Sequence, residues 1–166
     1  DYTVVESGQH PTMDMCCFTT LFWQCSSLTE APQLPMTTLS VGCYYGMFAY
    51  CTNLTTIPIL PATTLTESCY LGMFLGCSSL KFSETKTGEY NQPYRIPEGG
   101  TGATVSGALD MMFEGTGGSF TGTPNINTTY YLSTSNSIIG VCDHHWNAGE
   151  VTKKPCVNPG IKTYTC

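Results

Sequence analysis

CTNLTTIPILPATTLTESCYLGMFLG, residues 51–76, repeats the stretch before it, CSSLTEAPQLPMTTLSVGCYYGMFAY at residues 25–50, at 14 of 26 positions, and a third copy opens at Cys77. Each period joins a short apolar, strand-like stretch to a short aromatic turn that carries cysteine. Self-similarity at a period of this size is the mark of a solenoid. A unit this small cannot bury its own apolar face, so its side chains are expected to stack on their counterparts in the next unit. The expected rungs are Leu28/Leu54/Leu80, Leu39/Leu65, Phe22/Phe48/Phe74, Cys17/Cys43/Cys69 and Cys25/Cys51/Cys77.

Outward from this array, residues 1–16 read as an N-terminal cap, with a short strand at Tyr2–Val5 that would cover the first edge. Residues 17–80 are the repeats, and 81–107 an inserted loop marked by Gly99, Gly100 and Gly102. Residues 108–132 form a degenerate repeat in which Phe113 follows Phe74 by 39 residues, one period and 13 more. Residues 133–166 form a cysteine-containing C-terminal cap. The chain opens on Asp1 without a basic and apolar leader, as expected of a processed chain or a part of a longer one.

Within the unit, Leu54, Ile57 and Ile59 have the L-x2-I-x-I spacing of a leucine-rich-repeat strand, with Leu65 and Phe74 as the next inward positions. Carried on Cys51, Leu54, Ile57, Ile59, Pro61, Met73, Phe74 and Cys77, the pattern resembles the Treponema-type, BspA-like leucine-rich repeats of bacterial surface proteins. The resemblance covers 17–80 well and 108–132 loosely, and implies a secreted or cell-surface solenoid engaged in adhesion. The period is longer than that family's, Cys43 and Cys69 add a second cysteine per unit, and Pro32 and Pro58 fall inside the presumed strands, each removing a ladder donor. The expected fold is therefore a leucine-rich-repeat-like solenoid of short parallel strands and short convex turns or helices, disulfide-stapled, mostly β and irregular.

Charge is sparse, at 11% of residues with a net of −6, and unevenly spread: residues 1–80 hold Asp1, Glu6, Asp14, Glu30 and Glu67 but no Lys or Arg. Such a stretch cannot neutralise phosphates, which argues against nucleic acid as a partner. No apolar run approaches the ~18 residues of a membrane helix, so no membrane insertion is expected.

Ten cysteines in 166 residues suggest an oxidising compartment and disulfides. The repeat cysteines allow pairing within a unit (Cys17 with Cys25, Cys43 with Cys51, Cys69 with Cys77) or between units (Cys25 with Cys43, Cys51 with Cys69). In the degenerate repeat both positions are lost together, as Ala108 and Thr116, which favours the first scheme. Residues eight apart on a helix lie ~12 Å from each other, beyond the roughly 7 Å a disulfide spans. The first scheme therefore requires a helical turn broken near Gly46 and Gly72. Cys16, Cys142, Cys156 and Cys166 would pair in an order the sequence leaves open.

The one cluster resembling a metal or catalytic site is Cys142, Asp143, His144, His145 and Trp146, with Cys156 downstream, and it lacks a second ligand pair at zinc spacing. A disulfide-anchored cap is the expected reading, with no metal and no cofactor. Glu84 with Glu89, and Asp110 with Glu114, read as solvated carboxylates rather than hydrolase acids. The chain is thus expected to be non-enzymatic. Its expected function is recognition or adhesion, binding protein or glycan through the concave face formed by Glu30, Pro32, Leu34, Thr56, Pro58, Leu60, Phe82 and Glu84. The alternative is a structural subunit that self-assembles into an extracellular filament by strand addition to an open edge.

Overall fold

The computed structural model describes residues 13–140 together with two short strands, Trp146–Asn147 and Glu150–Val151. The strand read at Tyr2–Val5, and Cys142, Asp143, His144, His145, Cys156 and Cys166, lie outside the described residues.

Four tracts of turns, at 15–24, 41–50, 67–76 and 106–115, the last interrupted by a bend at Ala108 and Leu109, set the architecture. Each carries a residue of positive φ at every fourth position: Cys16, Thr20 and Gln24; Gly42, Gly46 and Tyr50; Ser68, Gly72 and Gly76; Gly107, Met111 and Gly115. In the second tract the amides of Cys43, Tyr45, Met47, Ala49 and Cys51 bond the carbonyl three residues back, closing one turn after another. Every second turn has positive φ at its third residue, the position a type II turn assigns to glycine. Six of the twelve positions are not glycine, and each such residue in this region costs on the order of 1 kcal/mol.

The intervening amides run to the next tract. Cys16, Phe18, Thr20, Phe22 and Gln24 donate to the carbonyls of Val41, Cys43, Tyr45, Met47 and Ala49, and Gly42, Tyr44, Gly46, Phe48 and Tyr50 donate to Glu67, Cys69, Leu71, Met73 and Leu75. Tyr70, Gly72, Phe74 and Gly76 then donate to Ala108, Asp110, Met112 and Glu114, all at 2.6–3.0 Å. Side chains on the inner side of this ladder repeat with it, so identical rings meet. Phe22, Phe48, Phe74 and Phe113 stack at 5.5, 5.4 and 5.9 Å between centroids, and Phe18, Tyr44 and Tyr70 at 5.7 and 5.9 Å. Stacked pairs of this kind contribute about 0.5–1.5 kcal/mol each beyond the area they bury.

The leucine-rich-repeat solenoid expected from the sequence is not what forms. The described residues contain no helix and no solenoid sheet, and most of the chain is irregular. Strand β1, Thr56–Pro58, pairs in parallel with β6, Ser137–Ile139, not with the strand of a neighbouring unit. A four-stranded sheet holds β3 (Tyr90–Arg95), β5 (Thr129–Ser133), β2 (Lys81–Ser83) and β4 (Gly117–Gly118) in that order. β5 is antiparallel to both β3 and β2, whereas β4 is parallel to β2. Residues 81–107, read as a loop, thus supply two of its strands.

Two physical reasons account for the difference. Pro32, Pro35, Pro58 and Pro61 deprive the apolar stretches of ladder donors, so the units join through their turn tracts instead. Where two units do meet beyond the tracts, Thr55 donates to the Thr29 carbonyl at 2.9 Å, but the matching bond one period later, from Lys81 to Thr55, is never made. The carboxamide of Asn136 stands between them: Oδ1 accepts from the Lys81 amide at 3.0 Å, and Nδ2 donates to the carbonyls of Thr55 at 3.1 Å and Ser79 at 2.9 Å. A side chain 55 residues further along replaces the direct link between β1 and β2.

The expected disulfides are also absent among the described residues. Cys16, Cys17, Cys25, Cys43, Cys51, Cys69 and Cys77 are all free thiols. The two cysteines of a unit belong to different columns of the stack, and those in the second column are engaged with backbone: the thiols of Cys51 and Cys77 donate to the carbonyls of Phe22 and Phe48 at 2.9 and 3.0 Å.

Candidate functional site

Of the residues expected to form a binding face, five are buried. Leu60 and Phe82 are fully enclosed, Leu34, Thr56 and Pro58 nearly so, and only Glu30, Pro32 and Glu84 are exposed. β6 and the segment after β3 cover what would have been the concave side. Thr56 Oγ1 accepts from the Ala31 amide, the Tyr94 hydroxyl donates to the Pro58 carbonyl, and the Glu98 amide donates to the Leu60 carbonyl. The eight residues therefore do not share one surface.

The exposed face lies on the other side of the ladder. Among the residues that precede a positive-φ position, Trp23 and Tyr45 are exposed and Leu71 and Leu75 half-buried. With Tyr50 and Met111 they line a groove of about 370 Å³ whose floor includes Gly46 and Gly72. Trp23 is 51% exposed, and Tyr45, Tyr50 and Met111 are each more than two-fifths exposed. The sequence carried a signal for this face: aromatic residues beside positions spaced by four, at Gly42, Gly46 and Tyr50. The signal was obscured because Thr20, Tyr50, Ser68 and Met111 occupy positions that glycine fills in other units.

A second concavity, of about 550 Å³, opens at the low-numbered end of the stack. Met13, Phe18, Leu21, Phe22, Leu34 and Met36 give it an apolar lining, and Asp14 reaches it as the one acidic group. Here the ring columns end. Pro32 and Leu34 from the sequence-derived set border it.

Titratable groups in the interior are tuned toward neutrality. Burial pushes the Cys43 thiol up to about 11 and the Cys77 thiol up to about 12, and raises Cys51 and Cys69 as well. Burial likewise raises the Tyr44, Tyr70 and Tyr94 hydroxyls. A thiol held protonated is a poor nucleophile and a poor metal ligand. Among the described residues no three His, Cys, Asp or Glu side chains converge on a point where an ion would sit, and no helix is long and apolar enough to cross a membrane. Asp110 and Glu114 lie exposed on the fourth tract, and Glu84 and Glu89 flank an exposed loop. No family model, no curated protein and no solved structure matches the chain.

Proposed function

We propose that this chain is a non-enzymatic recognition module, working as a secreted or cell-surface protein, that holds a protein or glycan partner on the outward face of its turn tracts. The observation that carries the reading is the row of Trp23, Tyr45 and Tyr50 standing exposed beside a groove floored by Gly46 and Gly72. Trp and Tyr offer large contact area at small entropic loss, and anchors of this type dominate binding energy at interfaces. The ladder beneath fixes their spacing. The extracellular setting is supported by the scarcity of charge, and no longer by disulfides among the described residues or by the repeat resemblance, whose solenoid does not form.

Self-assembly into a filament by strand addition draws less support. A strand edge offers donors and acceptors alternately, whereas the edge of the first tract, unpaired among the described residues, offers acceptors alone, as developed below.

The test is a glycan array and a panel of immobilised extracellular-matrix proteins, probed with the full chain and with Trp23→Ala and Tyr45→Ala. Loss of about thirtyfold in affinity for a captured ligand, at unchanged thermal midpoint, is expected of such anchors. Ligands retained equally by both variants would remove the basis for the reading.

A further inference from the structure

We propose that the low-numbered end of the ladder is a second docking site, and that its occupant is a basic, apolar-anchored segment of another protein. The inference starts from the direction of the hydrogen bonds. Every inter-tract bond has its N–H pointing toward the higher-numbered tract and its carbonyl toward the lower. The peptide units that make them are therefore aligned across the stack, in chains such as Thr20 to Tyr45, Gly46 to Leu71 and Gly72 to Asp110. Aligned peptide dipoles add, as they do along a helix, and leave partial positive charge at the donor end and partial negative charge at the acceptor end.

The two ends are treated differently. At the donor end, Thr121 Oγ1 and Thr123 Oγ1 accept from the amides of Gly115 and Met111, and the Gly122 carbonyl accepts from Phe113 at 2.8 Å. That end is sealed by the chain itself. At the acceptor end, the carbonyls of Met15, Cys17, Thr19, Leu21 and Trp23 occupy the positions that accept in the next tract, and no hydrogen bond reaches them among the described residues. The amides of Cys17, Thr19, Leu21 and Trp23 are turned inward to close their own turns, so this edge has acceptors and no donors.

Such an edge selects its partner. A second copy cannot pair edge to edge, because carbonyls would face carbonyls, and cannot pair head to tail, because the donor end is occupied. A partner bearing Lys or Arg fits: their side chains are donors without acceptors, and they meet Asp14 and the negative pole of the array. No Lys or Arg occurs in this chain before Lys81, so that half of the sequence holds no lysine or arginine charge to repel a cation. Beside the carbonyl row, the groove lined by Phe18, Leu21 and Phe22 gives the partner's apolar residues a place to bury. Leu21, which lines it, is 54% exposed.

The experiment is calorimetric titration of the full chain with three synthetic peptides of equal length that alternate Leu with Lys, with Ser or with Glu. The Leu/Lys peptide is expected to bind saturably and to weaken about tenfold between ~0.05 and ~0.5 M salt, as desolvated but screenable charge pairs do. Leu21→Ser is expected to weaken it at least about tenfold, by removing apolar contact that the peptide buries, and Val105→Ser, just before the far tract, to leave it unchanged. Because Leu21 is 54% exposed, this variant keeps the wild-type thermal midpoint. Absence of saturable binding, equal binding of the Leu/Glu peptide, or indifference to Leu21→Ser would overturn the proposal. So would concentration-dependent dimerisation in sedimentation velocity that Leu21→Ser abolishes, since it would give this face to a second copy.

Discussion

The ring of Tyr50 lies across the backbone of Gly76, so that a Cβ on Gly76 would fall 2.6 Å from Tyr50 Cδ1 and 2.9 Å from Cε1. Gly76 also has φ +71°. Gly76→Ala therefore combines a left-handed backbone with displacement of a ring, and is expected to destabilise by about 2–3 kcal/mol. Gly72→Ala, at φ +57° with its nearest neighbour at 3.8 Å, carries the backbone penalty alone, about 1 kcal/mol. Urea unfolding of the two variants measures the gap, and equal losses would show that the ring moves aside freely.

Asn136 predicts an effect of similar size. Asn136→Ala leaves the Lys81 amide and the Ser79 carbonyl without this partner and the Thr55 carbonyl with the Ser137 amide alone, in a partly buried site, for an expected loss of about 2 kcal/mol. In Asn136→Asp the acceptor is kept, but a carboxylate oxygen faces two carbonyls. Its folded pKa must rise above the unfolded one, so the variant's deficit relative to wild type shrinks as pH falls and widens as pH rises through the carboxylate range. A deficit independent of pH between ~4 and ~7 would contradict the geometry.

The thiols divide by exposure. Iodoacetamide under native conditions is expected to label Cys16, Cys17 and Cys25 and to spare Cys43, Cys51, Cys69 and Cys77 until the protein unfolds, as read by peptide mapping. The buried group also sets a pH response. Cys43 and Cys77 have folded values of about 11 and 12 against an ordinary 9.0, so the unfolded chain loses these protons first. Stability is then full below pH 9 and declines as pH rises toward 11, seen as a falling urea midpoint. A Cys43→Ser, Cys77→Ser variant should lose part of that slope, the rest remaining with Cys51, Cys69 and the buried tyrosines.

Sealing of the donor end is testable at two residues. Thr121→Val and Thr123→Val keep the side-chain shape but remove the oxygens that accept from Gly115 and Met111, and each is expected to lose about 1 kcal/mol, as a helix cap does. Amide exchange at Gly115 and Met111 should quicken in the matching variant, while Phe113, held by the Gly122 carbonyl, responds less. Uniform quickening over the fourth tract would instead mean general loosening.

Part of this molecule could be read from its residues. Identical aromatics one period apart, Phe22, Phe48 and Phe74, had to meet if the units stacked at all, and their rings do. The turn tracts were hidden because their four-residue spacing is written partly in Gly42, Gly46, Gly72 and Gly76 and partly in Thr20, Tyr50, Ser68 and Met111, where the ladder overrides local preference. Paired loss at Ala108 and Thr116 suggested a disulfide, but it reflects two separate columns ending in the same unit; Thr116 Oγ1 bonds the Phe113 carbonyl at 2.7 Å in its own turn. Nothing in the repeat foretold Asn136, whose role depends on a partner outside the period. The binding face was misassigned for the same reason: its cover, β6, comes from beyond the repeats.

Identical joints between tracts bear on how such a protein can change in size. A spare copy of residues 25–50, spliced in after Tyr50, would find five amides waiting on one side and five carbonyls on the other, and would disturb neither the threonine-bearing segment nor Asn136. The same insertion beyond Gly115 would part Thr121 and Thr123 from the groups they serve. Growth in whole units is therefore open in the first half of this chain and closed in the second.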